Sequence, residues 1–141
     1  MQANRIEQGT AERTASGGNI EAIYPLSPMQ EGMLFHTLMN PGTGIYLMQN
    51  RYYVEGEMDA ALFRKAWEQV IARHSILRTS FVWKSQKRPL QAVHKEIEVP
   101  LDVMDWQGKD RAEQMADLDA LLQQELEQGF DFGKAPLMHL R

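Results

Sequence analysis

The residues best suited to chemistry in this chain are its imidazoles, its carboxylates and two arginines at a helix–strand junction. The histidines are His36, His74, His94 and His139, and they are scattered. A zinc site needs converging ligands, as in His-Glu-x-x-His, and no such spacing occurs. His36 lies in a methionine-rich stretch and reads as a partly buried structural histidine. Glu96 and Glu98 lie at strand spacing, so both can point to one face. Asp117, Asp119, Glu125 and Glu127 read as a solvated helix face. An acid–base pair needs an apolar pocket that separates two pKa values, and two carboxylates without one are not such a pair.

Arg73 closes an amphipathic helix, and Arg78 opens a strand behind Ile76-Leu77. A half-buried guanidinium at such a junction requires a carboxylate or carbonyl partner. From the residues alone, both read as cations at a helix C-terminus. Met29, Met33, Met39 and Met48 allow two readings, a pliable groove for a partner or ordinary core. Their helical spacing favours core. No Gly-x-Gly-x-x-Gly, phosphate-binding loop or Gly-x-Ser-x-Gly elbow is present, so nucleotide binding has no support.

The elements that must hold these residues follow from caps and periodicity. Order begins near Ile20 to Tyr24. Ser27-Pro28 predicts a helix N-cap followed by proline at the first helical position, and Gln30 completes a capping box. Met29, Met33, Leu34 and Leu38 form an apolar side, and Asn40-Pro41-Gly42 ends the helix. Ile45 to Gly56 reads as a strand, rich in β-branched and aromatic residues. Asp59 caps a second helix whose core face is Leu62, Phe63, Ala66, Trp67, Val70 and Ile71. It ends near His74 or Ser75. Arg78 to Trp83 and Leu90 to Val99 predict a hairpin with Lys84 to Arg88 as its turn. Asp110 to Gln128 predicts a third helix with Met115, Leu118, Leu122 and Leu126 in one stripe. Gly129 stands where a left-handed cap belongs. Pro136 to Arg141 begins a further strand. Mixed helices and hairpins predict an α+β layered domain.

At 141 residues and 43% hydrophobic content, the chain fits one domain able to bury a sizeable core. Residues 1–19 are polar and end in Ser16-Gly17-Gly18, which predicts a flexible leader, either a docking segment or a linker remnant. The net charge of −4 argues against a nucleic-acid surface. No apolar run approaches the roughly 20 residues that span a bilayer, so membrane insertion is not expected. Cysteine is absent, which removes disulfides and thiolate metal sites and fits a cytoplasmic protein.

Two stretches carry a family resemblance. Tyr24-Pro-Leu-Ser-Pro-Met-Gln-Glu-Gly-Met-Leu-Phe-His36 and Arg73-His-Ser-Ile-Leu-Arg-Thr-Ser-Phe81 resemble the first two signature motifs of nonribosomal peptide synthetase condensation domains. The first is similar to the variant in domains that accept a D-configured donor. Ser75 departs from the second motif, where Glu is frequent. Arg88-Pro-Leu-Gln-Ala-Val93, Asp105-Trp106, Phe130-Asp-Phe132 and Pro136-Leu137 match the family's spacing as well. The resemblance covers about residues 20–141.

It implies the N-terminal lobe of a chloramphenicol acetyltransferase-like two-lobed fold, with a mixed sheet, packed helices and a tunnel between lobes. The implied chemistry is amide formation between donor and acceptor thioesters. Upstream and downstream peptidyl carrier proteins present these on 4'-phosphopantetheine, and the domain itself binds no cofactor. The family's third motif, His-His-x-x-x-Asp-Gly, is absent, so the resemblance implies no catalytic residue in this chain and no activity of the chain alone. Arg73, His74 and Arg78 are then candidates for bracing the active-site floor, because the third motif's Asp pairs with arginine. Ser27, Met29, Gln30 and His36 mark the first-motif helix. Implied partners are the carrier proteins and the remainder of the domain or synthetase. Uncovered apolar surface predicts self-association or disorder near the C-terminus. Two other readings remain open, a free-standing carrier-docking module and a related acyltransferase domain.

Overall fold

Three antiparallel strands carry the architecture, and the last in sequence lies in the middle. The computed structural model describes residues 18–84 and 86–141. Residues 1–17 of the expected leader, and Ser85 of the expected hairpin turn, lie outside the described residues. The elements are β1 (Ile20–Pro25), α1 (Pro28–Met39), α2 (Ala60–Arg73), β2 (Thr79–Val82), β3 (Leu90–His94) and α3 (Arg111–Gln128). A short 3-10 turn, Ser75–Arg78, joins α2 to β2. The strand order is β1-β3-β2. Tyr24 pairs with Gln91, and Thr79 pairs with Val93.

Each helix starts where a side chain satisfies its orphan amides. Ser27 Oγ accepts from Gln30 N at 3.3 Å, and Gln30 Oε1 accepts from Ser27 N at 2.9 Å. Asp59 Oδ1 accepts from Ala61 N and Leu62 N. Asp110 and Glu113 form a second reciprocal box. The Asp59, Asp110 and Glu113 carboxylates also face the positive ends of the α2 and α3 dipoles. Gly129 follows α3 with φ 60° but ψ −157°. It has the positive φ expected of a left-handed cap, while its ψ is extended, a combination open essentially to glycine alone.

Several expectations are corrected. Residues 45–56 form no strand, although their composition favours one. Strand formation requires a backbone partner, and none of the described residues lies alongside this segment as one. The second hairpin strand stops at His94 rather than Val99, and Arg78 sits in the 3-10 turn rather than in β2. The apolar stripes of α1 and α2 are largely uncovered. Leu34 is the buried residue of α1 and Ile71 that of α2. Met29 is 76% exposed, and Met33, Met39 and Met48 are exposed too, so the methionines are not core. Helical spacing shows which residues share a face, not what covers it. The buried apolar set is correspondingly small: Leu26, Leu34, Ile71, Ala92, Val93 and Val99. The C-terminal residues form no full strand but are tethered. Leu140 bridges Leu101 in parallel, with Leu140 N donating to Pro100 O at 2.8 Å and Asp102 N to Leu140 O at 2.9 Å. No helix among the described residues is long and apolar enough to cross a membrane.

Candidate functional site

Arg78 is the organising side chain of the second motif. It is only 7% exposed, and its guanidinium gathers three elements. Nε donates to Ile71 O at 3.1 Å and Nη2 to Ala72 O at 3.3 Å. Both carbonyls belong to the last turn of α2, where the helix leaves acceptors unpaired. Nη1 donates to Glu21 Oε2 at 2.7 Å, to His94 O and to Lys95 O. Arg78 therefore caps α2, closes the end of β3 and holds β1. The planar five-donor fork makes this possible, and a lysine could not span it.

The partner carboxylate is delivered by a backbone irregularity. The register of β1 on β3 shifts between Ile20 and Ala22, which leaves Glu21 without a cross-strand partner. Such a bulge re-aims the side chain it carries. Glu21 is half exposed, so the pair gains from proximity without full desolvation of the carboxylate.

The helix-end reading of Arg78 is thus realised, with a carboxylate added to it. Arg73 is different. It is exposed at the end of α2 and makes no side-chain hydrogen bond or ion pair among the described residues. His74 is exposed as well. Its backbone N–H donates to Val70 O at 3.0 Å, and its carbonyl accepts from Leu77 N, so it acts through its main chain.

The first motif is fixed at the other end of β3. Gln30 completes the α1 cap and also donates from Nε2 to Gln91 Oε1 at 3.3 Å. Ser27 provides the cap. Met29 projects from the first turn into open space, and His36 is exposed, edge-on to Phe35 with ring centroids 6.0 Å apart. The expectation of a partly buried His36 is corrected, because α1 is covered on one narrow side alone.

Three residues went unforeseen in the sequence. Glu21 is a lone carboxylate in an otherwise apolar strand, and that contrast was the available signal. Ser80 is buried, and its Oγ lies 2.8 Å from His94 Nε2. Gln91 had no signal beyond its place in a matched stretch. Beside Arg78 lies a cavity of about 110 Å³ lined by Glu68, Ile71, Lys95 and Ile97, too small for an aminoacyl substrate. Among the described residues, no three His, Asp or Glu side chains converge as metal ligands.

The geometry leaves two motif segments clamped to one strand. The profile of the family described as Condensation domain matches residues 20–141. The chain belongs to the condensation-domain family. The synthetase resemblance of its motifs therefore holds. A linear gramicidin synthase polypeptide of Brevibacillus parabrevis is 44% identical over 125 residues, covering 89% of this chain. Tyrocidine synthase 3 from the same organism is 38% identical over 120 residues, covering 85%. Bacitracin synthase 1 of Bacillus licheniformis is 32% identical over 125 residues, covering 89%. The condensation-domain chain spans 2% of the length of each of these relatives. A solved structure described as "The crystal structure of CT" superimposes with a TM-score of 0.53 at 24% identity. It covers 84% of this chain and 24% of its own, and this likeness concerns the fold. The α+β class expected of the N-terminal lobe stands, here with a sheet that is antiparallel in both pairings.

Proposed function

We propose that this chain supplies the N-terminal part of a condensation domain that joins two carrier-bound thioesters through an amide bond. In that reaction the acceptor amine attacks the donor carbonyl. The carbon–sulfur bond breaks, the donor carrier's thiol leaves, and the amine's proton goes to a base. That base is the imidazole of a His-His-x-x-x-Asp-Gly motif, which this sequence does not contain. The chain's contribution is structural. Arg78 is the brace, because it alone of Arg73, His74 and Arg78 is buried and multiply bonded. Ser27 and Gln30 fix α1, whose Met29 and His36 face outward as wall. The observation that carries this reading is the clamping of both motif segments to β3, by Gln30 at Gln91 and by Arg78 at His94.

The partners in this reading are upstream and downstream peptidyl carrier proteins bearing 4'-phosphopantetheine, and further residues of the domain. Exposed Tyr52, Tyr53 and Val54 support the latter, since a β-prone apolar segment open to solvent calls for a covering strand. Self-association through the same surface is the corresponding expectation for the isolated chain. Residues 1–19 fit a leader or docking segment, residues 20–141 the domain, and the cytoplasm the location. The pattern of Leu26 to Gln30 followed by Gly32 to His36 supports a D-configured donor.

The test is a transplant. Residues 20–141 replace the matching segment of the condensation domain in the linear gramicidin synthase polypeptide that is 44% identical, and amide formation between loaded carriers is followed by mass spectrometry. Product formation supports the reading, and a folded but inactive chimera overturns it. A second reading, a free-standing carrier-docking module, is favoured by the open Met29, Phe35 and Met39 surface. It requires that the isolated chain bind carriers by titration.

A further inference from the structure

α3 is placed without a core of its own, since none of its side chains is buried. An amphipathic helix is ordinarily positioned by the apolar face it buries. Here polar side chains from two distant segments converge on one residue instead. That residue is Glu125, which is half-buried and not part of the solvated face expected for it. Glu125 Oε2 accepts from Gln49 Nε2 at 3.2 Å, and Glu125 Oε1 lies 3.0 Å from Arg141 Nε. The two oxygens of one carboxylate serve two different partners.

The first partner belongs to a strap. Residues 42–51 run antiparallel along about two turns of α3. A Cβ on Gly42 would lie 3.7 Å from Glu127 O, and one on Gly44 would meet Leu126 Cδ2 at 2.9 Å. Gln49 Nε2 also donates to Leu122 O at 3.0 Å, and Arg51 Nη2 pairs with Asp119 Oδ1 at 3.3 Å. The second partner belongs to the C-terminal segment. Leu140 is held between Pro100 O and Asp102 N. His139 and Arg141 flank it two residues apart, a spacing that points both to one side of an extended backbone. Arg141 Nε lies 3.7 Å from Asp102 Oδ2, and His139 Nε2 lies 3.6 Å from the same oxygen. Arg64 of α2 secures this connection, donating to Val99 O and Leu101 O at 3.0 Å each.

Of the ion pairs that hold α3 to these two segments, the one at Glu125 is the more enclosed. The side chains of Arg141 and Glu125 are 25% and 23% exposed, against 44% and 64% for Arg51 and Asp119. Solvent and salt screen it less. A glutamate loses more rotamer freedom on ordering than most side chains do. Two partners on one carboxylate meet that cost once. Whichever contact forms first fixes Glu125 for the other. Gln49 and residues 139–141 share no hydrogen bond or ion pair among the described residues, so any coupling between them runs through Glu125.

We propose that Glu125 is a latch that couples the strap to the C-terminal segment, so that residues 42–51 and 139–141 dock on α3, and release from it, together. The latch joins the connection that leaves α1 to the one that α2 holds through Arg64. It does not depend on the condensation reading.

The experiment is amide hydrogen exchange, read by NMR, in the full 141-residue chain. Leu47 N, which donates to Gly44 O, reports on the strap, and Leu140 N and Asp102 N report on the C-terminal segment. Alanine is the better helix former, and its introduction removes a negative charge from the last turn of α3. A purely local role for Glu125 therefore predicts a firmer helix and unaltered segments in Glu125→Ala. The latch predicts that exchange at Leu47, Leu140 and Asp102 speeds together by about tenfold, with β3 spared. Glu127 accepts from Gln123 Nε2 within the helix, so Glu127→Ala leaves the three rates within about twofold. The crossed effects are decisive. Gln49→Met speeds Leu140 and Asp102 about threefold, Arg141→Met speeds Leu47 as much, and neither effect appears in a Glu125→Ala background. Unchanged rates in Glu125→Ala overturn the proposal, as does equal acceleration in β3. So does a change confined, in Gln49→Met or Arg141→Met, to the segment that was altered. If Glu125→Ala does not fold, the crossed effects of the two single variants decide alone.

Discussion

Gln30 and Arg78 grip one strand three residues apart, Gln30 through the side chain of Gln91 and Arg78 through the carbonyl of His94. At about 3.3 Å per strand residue, the two anchor points lie about 10 Å from each other. The first motif reaches β3 through a helix cap, and the second through a turn that also closes α2. Neither attachment relies on a large apolar core. The relative placement of the motifs is therefore a property of polar side chains, and those side chains are where substitution should act.

Arg78 is the first test. Replacing it with methionine strands the carbonyls of Ile71 and Ala72 at the end of α2 and frees the Glu21 carboxylate. Arg78→Met is expected to destabilise the chain by about 3 kcal/mol in urea unfolding. Glu21→Gln should cost less than about 1 kcal/mol, because the carboxylate is half exposed and water replaces its partner. Arg73→Met should stay within about 0.5 kcal/mol, as for other open surface positions. Equal losses for Arg73 and Arg78 would remove the distinction between them.

How much of this was legible in the sequence depends on how local each signal is. Ser27 and Asp59 announced their helices because a cap is satisfied within three residues. The hairpin of β2 and β3 was legible for the same reason. The need of Arg78 for a partner was also legible, but not the identity of Glu21, which lies 57 positions away and is aimed by a bulge. Tyr52 to Val54 failed as a strand because β-propensity expresses itself only against a partner backbone. The methionines of α1 failed as core because periodicity describes one helix and says nothing of its neighbours.

Acid stability gives a second test. Asp131 accepts from Lys134 and from the backbone N–H of Gly133, and these hold its pKa below the ordinary value of 3.8. A carboxylate with a depressed folded-state pKa stabilises the fold above its unfolded pKa. That stabilisation is lost as pH falls through the folded value. Asp131→Asn should therefore flatten the fall of the urea midpoint below about pH 4 and leave the slope near pH 6 unchanged. Asp131 is fully exposed, so about 1 M salt should shrink the difference between variant and parent. An unaltered acid slope in Asp131→Asn would show that the Lys134 contact has no thermodynamic weight.

Donor stereochemistry offers a third. The pattern of Leu26 to Gln30 followed by Gly32 to His36 supports a D-configured donor residue in the condensation reading. In the transplanted domain, a D-configured donor should be used at least about tenfold better than its L-epimer, a difference of about 1.4 kcal/mol in the transition state. Competition between equimolar epimers, read by chiral chromatography of the product, measures it directly. Equal use would remove the subtype and leave the family assignment untouched.

The open segment at Tyr52 and Tyr53 gives the last. Tyr52 is 83% exposed, and Tyr53 and Val54 lie open beside it, so side chains that would alternate between the two faces of a strand are all solvated. Such a segment offers backbone donors and acceptors to any matching edge. The isolated chain should consequently associate with itself, and sedimentation velocity should show weight-average size rising with concentration. Tyr53→Pro removes one donor and blocks pairing on that edge. Among the described residues this amide has no hydrogen bond to lose, so the fold of the single chain should survive. About tenfold weaker association is expected. Tyr53→Ala separates the two contributions: it keeps the backbone donor and should weaken association less if strand pairing, rather than ring burial, drives it. Association unchanged in Tyr53→Pro would move the contact elsewhere, to the uncovered flank of α1.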